Sequence, residues 1–245
     1  WLDRPKAAID GIGGPRETGT ALDAILDLLN ECWEKDILPS DLEYAEVVTL
    51  YKKGKVENPA NYRPIALLDT LYKIFTSLIQ NRMANAIDHR LSNLQFGFRK
   101  TPSTSQPLFI ARRIQDFAEA AGDKLFLVFL DWEKTFDKID QEMMISAIGR
   151  LNVPEKLTTI LKAIYKNPQL CIRDPEGNST WRNQRAGIRQ GCPLSPYLFI
   201  CLMTVMFSDI HWKVGHKIAG NQIDCFNFWE LIYADDTMLV GNRAR

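Results

Sequence analysis

The stretch LIYADDTMLV, residues 231–240, sets two carboxylates side by side inside an apolar run. Along a β-strand, neighbouring side chains point to opposite faces, so Asp235 and Asp236 should not share a task there. A hairpin tip at Ala234–Asp235 relaxes that alternation and lets both acids lie at one end of a sheet. A second stretch has the same character. LFLVFLD, residues 125–131, is a continuous apolar run closed by an acid, the pattern of a buried strand. An isolated buried charge is expensive and becomes tolerable beside a metal or a basic partner. Carboxylates converging from two strands suit a divalent cation. Mg²⁺ takes oxygen ligands, usually one or two carboxylates plus substrate phosphates. Two such ions, ~3.5–4 Å apart, clamp the attacking and leaving oxygens of a phosphoryl transfer. The competing reading makes the acids turn formers and caps. It is preferred for Asp137 and Asp140, and the metal reading for Asp131 with the Asp235–Asp236 pair.

Working outward, residues 1–19 are rich in Gly and Pro and read as a loop. Residues 21–36 show apolar positions at helical spacing, ended before Pro39. A strand is expected at 45–51, a polar connection at 52–61, and a long amphipathic helix at 65–87. A further helix is expected within 103–120, beginning near Pro107. After the strand at 125–131, Asp140 precedes QEMMISAIGRL as an N-cap precedes a helix. Pro154 opens another helix, to about Lys166. QLCIRD and TWRNQRAG flank the turn PEGN as a hairpin. Ser195 reads as a cap, with Pro196 at the first position of a helix that is apolar almost all round. The order predicts an α+β fold with helices backing an antiparallel sheet.

The 245 residues are enough for a sizeable core, as one large domain or two subdomains. Their 30 Lys+Arg balance 30 Asp+Glu, so net charge points to no partner. Distribution says more. Residues 51–113 carry 11 Lys/Arg against 3 Asp/Glu, and residues 114–150 carry 8 acids against 4 bases. A basic half and an acidic half suit phosphate on one side and metal on the other. The 5 cysteines form no CxxC pair, which points to reduced thiols in an intracellular protein. The 3 scattered histidines give no zinc signature. The longest apolar run, residues 197–207, is too short to span a bilayer, so no membrane partner is expected. No signal peptide is visible, and with Trp1 in first place the chain reads as an excised piece of something longer.

FLDWEKTFDKID (129–140), RQGCPLSPYLF (189–199) and YADDTMLV (233–240) resemble the central palm motifs of reverse transcriptases. YKKGKVENPANYRPIALLDTLYKIFTSLIQNRM (51–83) and QFGFRKTPSTSQPLFIARRIQD (95–116) resemble the fingers motifs of the non-LTR, LINE-type retrotransposon branch. The resemblance runs from about Lys35 to Val240. A lone YADD is weak evidence, whereas five blocks in the family's order are strong.

That resemblance implies a right-hand polymerase: an N-terminal extension over 1–34, fingers over 35–122 with interleaved parts near 155–190, and a palm over 123–245. The implied activity is RNA-directed DNA synthesis in retrotransposition, with an RNA template, a DNA primer, deoxynucleoside triphosphates and two Mg²⁺ ions, Mn²⁺ being a substitute. Asp131 matches the first palm aspartate and Asp235 the second, both metal ligands. The Trp132 backbone carbonyl also reaches a metal in that scheme, and Asp236 has a less direct role. Phe136 matches the aromatic residue that excludes the 2′-hydroxyl; without the resemblance it is an ordinary buried Phe. Arg63 and either Lys52 or Lys53 match triphosphate contacts, by charge-assisted hydrogen bonding. Gln190 and Gly191 match the pair beside the nucleotide, and Gly191 also reads as a turn before Ser195. Gly97, Phe98, Arg99 and Lys100 fall near the template, where aromatics stack and cations meet phosphate. Tyr233 and Ala234 are placed with the primer and template. The sequence departs from the family at Thr101–Pro102 and in KAAIDGIGG near the N-terminus. The family's helical thumb and an endonuclease region are not represented, so the chain is expected to hold the chemical site yet grip duplex weakly. Two rival readings stand beside this one: a viral RNA-dependent RNA polymerase, opposed by Phe136 and YADD, and a non-catalytic scaffold or decayed copy, opposed by the three retained carboxylates. The element type points to nucleus or cytoplasm.

Overall fold

The computed structural model describes residues 20–100, 102–174, 177–218 and 230–241. The side chains of 214–218, and the sequence features at Thr101, at Pro175–Glu176 of the PEGN turn, at Cys225 and before Thr20, lie outside the described residues. The chain divides into two compact units. Residues 1–76 with 155–184 form the first, and 77–154 with 185–245 the second. The breaks fall at 76/77, 154/155 and 184/185.

The first unit opens with α1, Ala21–Lys35. Thr20 caps it: its hydroxyl accepts from the Asp23 amide while the Asp23 carboxylate accepts from the Thr20 amide. This reciprocal pair satisfies donors that a helix start leaves orphaned. Strand β1, Tyr44–Tyr51, pairs antiparallel with β2, Tyr62–Leu67. Residues 65–67, expected to begin the long helix, therefore belong to a strand. The helix α2 runs Thr70–Ile87. It starts where the Asp69 carboxylate accepts from the Leu71 amide, at 2.6 Å, and the Asp69 carbonyl from the Lys73 amide. Tyr72, Phe75, Ile79, Met83 and Ile87 form its buried stripe at helical spacing.

Helix α3, Ser105–Ala121, begins two residues before Pro107 and ends at Gly122, whose φ of 68° supplies the left-handed turn. Then follow β3 (Phe126–Leu130), the short α4 (Thr135–Lys138), α5 (Gln141–Gly149) and α6 (Glu155–Ile164). Asp140 caps α5, its carboxylate accepting from the Met143 amide at 2.8 Å. In the first unit, β4 (Gln169–Asp174) pairs antiparallel with β5 (Gly177–Asn178) and β6 (Arg182–Asn183), as a hairpin requires. It also pairs parallel with β1. The sheet of the first unit is thus mixed, parallel between β1 and β4 and antiparallel elsewhere.

Helix α7, Ser195–Ile218, is buried at every residue from Tyr197 to Cys201. Ser195 is its first helical residue rather than its cap. The last elements are β7, Glu230–Tyr233, and β8, Asp236–Gly241. They join β3 in a purely antiparallel sheet of order β3-β8-β7.

Both faces of this second sheet bury residues: Leu231, Met238 and Val240 on one, Ile232 and Thr237 on the other. Leu231, Met238 and Val240 pack with Phe96 and Ile114, and Ile110, Ala111, Leu125 and Leu127 close around them. Helix α3 therefore backs one face. The expectation of a buried β3 is corrected. Val128 is 51% and Phe129 73% exposed, and among the described residues β3 is an edge strand paired only with β8.

Candidate active site

The β7–β8 hairpin closes through two residues. Tyr233 pairs with Asp236, which leaves Ala234 and Asp235 as the tip. Ala234 has φ 57°, in the left-handed region a non-glycine residue rarely enters. Two-residue hairpins need such angles because their twist must match that of the strands. On the other side of β8, the β3 ladder ends with Leu130 opposite Thr237. Asp131 is the next residue after Leu130, and Asp236 the residue before Thr237. One more step of the ladder would set Asp131 across from Asp236. The three carboxylates thus come from neighbouring strands to one end of one sheet. Asp131 and Asp236 are exposed and Asp235 is half-buried.

Among the described residues, no three His, Cys, Asp or Glu side chains are gathered as a preformed metal cage. The donor set is sparser: carboxylates at a sheet edge, open to solvent. Such a set fits a hard divalent cation that completes its shell with water and substrate phosphates.

The loop after Asp131 is tied back to the sheet. The Trp132 indole N–H donates to the Thr237 hydroxyl at 3.1 Å, and the Trp132 carbonyl accepts from the Thr135 hydroxyl at 2.6 Å. Phe136 stacks on Phe199 of α7, with ring centroids 4.9 Å apart and planes 27° apart. The segment Gly187–Gln190 runs against this loop. Gly187 and Ile188 amides donate to the Ile139 and Phe136 carbonyls, and the Gln190 side chain donates to Asp137 at 3.0 Å. Asp131, Trp132, Phe136, Gln190 and Gly191, scattered in the sequence, therefore share the second unit, and hydrogen bonds and a ring contact tie their loops together. Asp137, assigned only a turn role, carries a contact to Gln190 as well.

The basic candidates Lys52, Lys53 and Arg63 belong to the first unit. Arg63 lies on β2 opposite Leu50, and Lys52 follows the end of β1, its amide donating to the Asn61 carbonyl. All three side chains are exposed.

The residues of the QFGFRK block differ in exposure. Arg99 is mostly buried, 11% exposed at its side chain. Its guanidinium donates to the Asp88 carboxylate and to the carbonyls of Asp88, Ser92 and Gln95. All three guanidinium nitrogens are engaged within the protein, so this arginine serves the fold. Phe98, with φ 56°, is 48% exposed, and Lys100 is exposed. Gly97 lies against the hairpin tip. A Cβ there would meet Ala234 Cα at 2.8 Å and Cβ at 2.9 Å, its backbone nitrogen closer still.

Gln95 was missed by sequence reasoning. It is 1% exposed, forms a parallel bridge to Ile232, and reaches Ala234 with its side chain. A polar residue two places before a glycine, in an otherwise aromatic and basic block, was the only signal available.

The chain is 31% identical over 218 residues to the probable RNA-directed DNA polymerase from transposon BS of Drosophila melanogaster, covering 87% of this chain and 23% of that protein. It is 28% identical over 228 residues to the RNA-directed DNA polymerase from mobile element jockey of the same species, covering 90% and 23%. The chain thus spans under a quarter of the length of these curated relatives. Among solved structures, telomerase from Candida tropicalis in complex with the TWJ fragment of telomeric RNA superposes with a TM-score of 0.60. Identity there is 13%, over 90% of this chain and 40% of that one, a likeness of fold. The sheet edge with its carboxylates lies within residues 51–245, which match the reverse transcriptase (RNA-dependent DNA polymerase) family, and the chain belongs to that family.

Proposed function

We propose that this chain is the catalytic part of an RNA-directed DNA polymerase of a non-LTR retrotransposon. The observation that supports it best is the arrival of Asp131 and the Asp235–Asp236 tip at one end of a three-stranded antiparallel sheet. Asp131 and Asp235 would hold two divalent ions, taken to be Mg²⁺, with the Trp132 carbonyl and Asp236 beside them. The ions supply charge neutralisation for phosphoryl transfer to a primer 3′-hydroxyl.

The chain's own residues do the rest. The Phe136 ring is braced against Phe199, and its backbone carbonyl accepts from the Ile188 amide, so the ring is held rather than free to swing. A fixed ring beside a sugar site excludes a 2′-hydroxyl, which selects deoxynucleotides. Gln190 is oriented by Asp137. Exposed Lys52, Lys53 and Arg63 offer charge-assisted donors to triphosphate, with Arg63 presenting the planar fork. Phe98, Lys100 and Tyr233 are exposed and suited to template and primer. The kinship with mobile-element polymerases supports an intracellular setting, in nucleus or cytoplasm.

The deciding experiment is divalent-ion-dependent extension of a DNA primer annealed to RNA, by an extension-competent form of the protein and by its Asp131→Asn variant. Loss of extension in the variant is expected. Equal extension by both would refute the role of Asp131.

A further inference from the structure

We propose that Gln95 is a positioning residue for the YADD hairpin, holding Ala234, and through it Asp235, by a buried two-point amide clamp. The inference rests on the reading of Asp235 as a metal ligand.

The clamp is built from one side chain. Its Oε1 accepts from the Ala234 amide at 2.8 Å and from the Gly97 amide at 2.8 Å. Its Nε2 donates to the Ala234 carbonyl at 3.2 Å. Both backbone groups of the tip residue are therefore satisfied by a single amide. Both residues are buried: Gln95 is 1% and Ala234 4% exposed. Hydrogen bonds in such a place are costly to leave unmade.

The backbone around Gln95 is fixed as well. The Phe96 amide donates to the Ile232 carbonyl and the Ile232 amide to the Leu94 carbonyl, both at 2.9 Å. Arg99 donates to the Gln95 carbonyl. The Leu94–Phe96 segment so continues the sheet beyond β7, with the amide aimed at the turn. The first residue of this two-residue tip sits at φ 57°, a conformation a non-glycine residue keeps only where its surroundings hold it. Asp235 directly follows it, and a metal ligand displaced by about 1 Å works poorly. Gly97 completes the device by leaving room for the tip.

Glutamine is suited to this task because it both donates and accepts. Glutamate has the same shape but donates only when protonated. The test uses this difference. Gln95→Met should raise the hydrogen-exchange rate of the Ala234 amide by about tenfold or more, the amide having lost its acceptor. Gln95→Glu should extend primers nearly as well as wild type at about pH 6 and fall about tenfold relative to it by about pH 8.5, as the buried carboxyl ionises against the Ala234 carbonyl. Arg99 and Asp235, the charges beside the clamp, are common to both proteins, so the ratio to wild type isolates the new carboxyl.

If Gln95→Met fails to fold, the pH profile of Gln95→Glu still decides. An Ala234 exchange rate unchanged in Gln95→Met would overturn the proposal, and so would a ratio of Gln95→Glu activity to wild type that stays flat across pH. Full extension by Asp235→Asn would instead sink the metal reading while leaving the exchange result standing.

Discussion

Leu130 pairs with Thr237 at the last step of the β3–β8 ladder, and this pairing is what carries Asp131 to the YADD tip. Asp131 and Asp235 are far apart in sequence, and only sheet register joins them. Asp235 is a loop residue of the tip, while Asp236 already belongs to β8. Asp131→Asn and Asp235→Asn should each abolish primer extension, whereas Asp236→Asn should leave a measurable residue. Single-turnover extension of an annealed primer checks the order. An essential Asp236 with a dispensable Asp235 would contradict it.

Arg99 should behave as a structural residue. Its guanidinium is largely buried and bound to Asp88, which also accepts from Tyr197 at 3.4 Å. Arg99→Ala should cost about 2–3 kcal/mol, since it strands an acceptor carboxylate and three carbonyls. Lysine cannot reproduce the fork, so Arg99→Lys should recover little. Urea unfolding measures the loss. A variant of native stability but weakened template affinity would restore Arg99 to the template role first expected of it.

The sequence made the main elements legible where periodicity or punctuation was strong. α7 was readable from its unbroken apolar run, and α5 from Asp140 as its cap. The hairpin at Ala234–Asp235 was readable because two acids interrupt two apolar runs. What escaped depended on tertiary pairing. The chain at 65–67 has helical spacing, yet β1 claims it as a partner. The apolar run of β3 resembles a buried strand, yet it lies at a sheet edge. Arg99 and Gln95 carry no local sign of their partners, Asp88 and Ala234, because each contact is long-range or set by a bend. The resemblance and its charge suggested template phosphate for Arg99, and in the fold its guanidinium is bound to Asp88.

Phe136 links selectivity to packing. Its stacking on Phe199 is worth about 0.5–1.5 kcal/mol beyond area burial. Phe136→Val should cost some stability and raise ribonucleotide incorporation relative to deoxynucleotide by an order of magnitude or more. Extension assays with each nucleotide set give that ratio. An unchanged ratio would return Phe136 to an ordinary packing role.

The buried thiols give a pH test independent of catalysis. Cys201 is 0% and Cys32 1% exposed, and burial pushes both thiols above their ordinary pKa, Cys32 with help from the Glu31 carboxylate and Cys201 with help from Asp88. An acid whose pKa is raised by folding stays protonated in the native state after it ionises in the unfolded chain. Its contribution is therefore complete below the unfolded thiol pKa of about 8.5, and stability falls as pH rises beyond it. Urea midpoints should drop between about pH 8 and pH 10, and Cys201→Ala should flatten part of that drop while creating a small cavity cost at neutral pH. Native-state alkylation at about pH 8 should spare both residues, because the thiolate is the reactive form and neither is exposed. Rapid labelling of Cys201 in the folded protein would show that α7 opens far more readily than its burial implies.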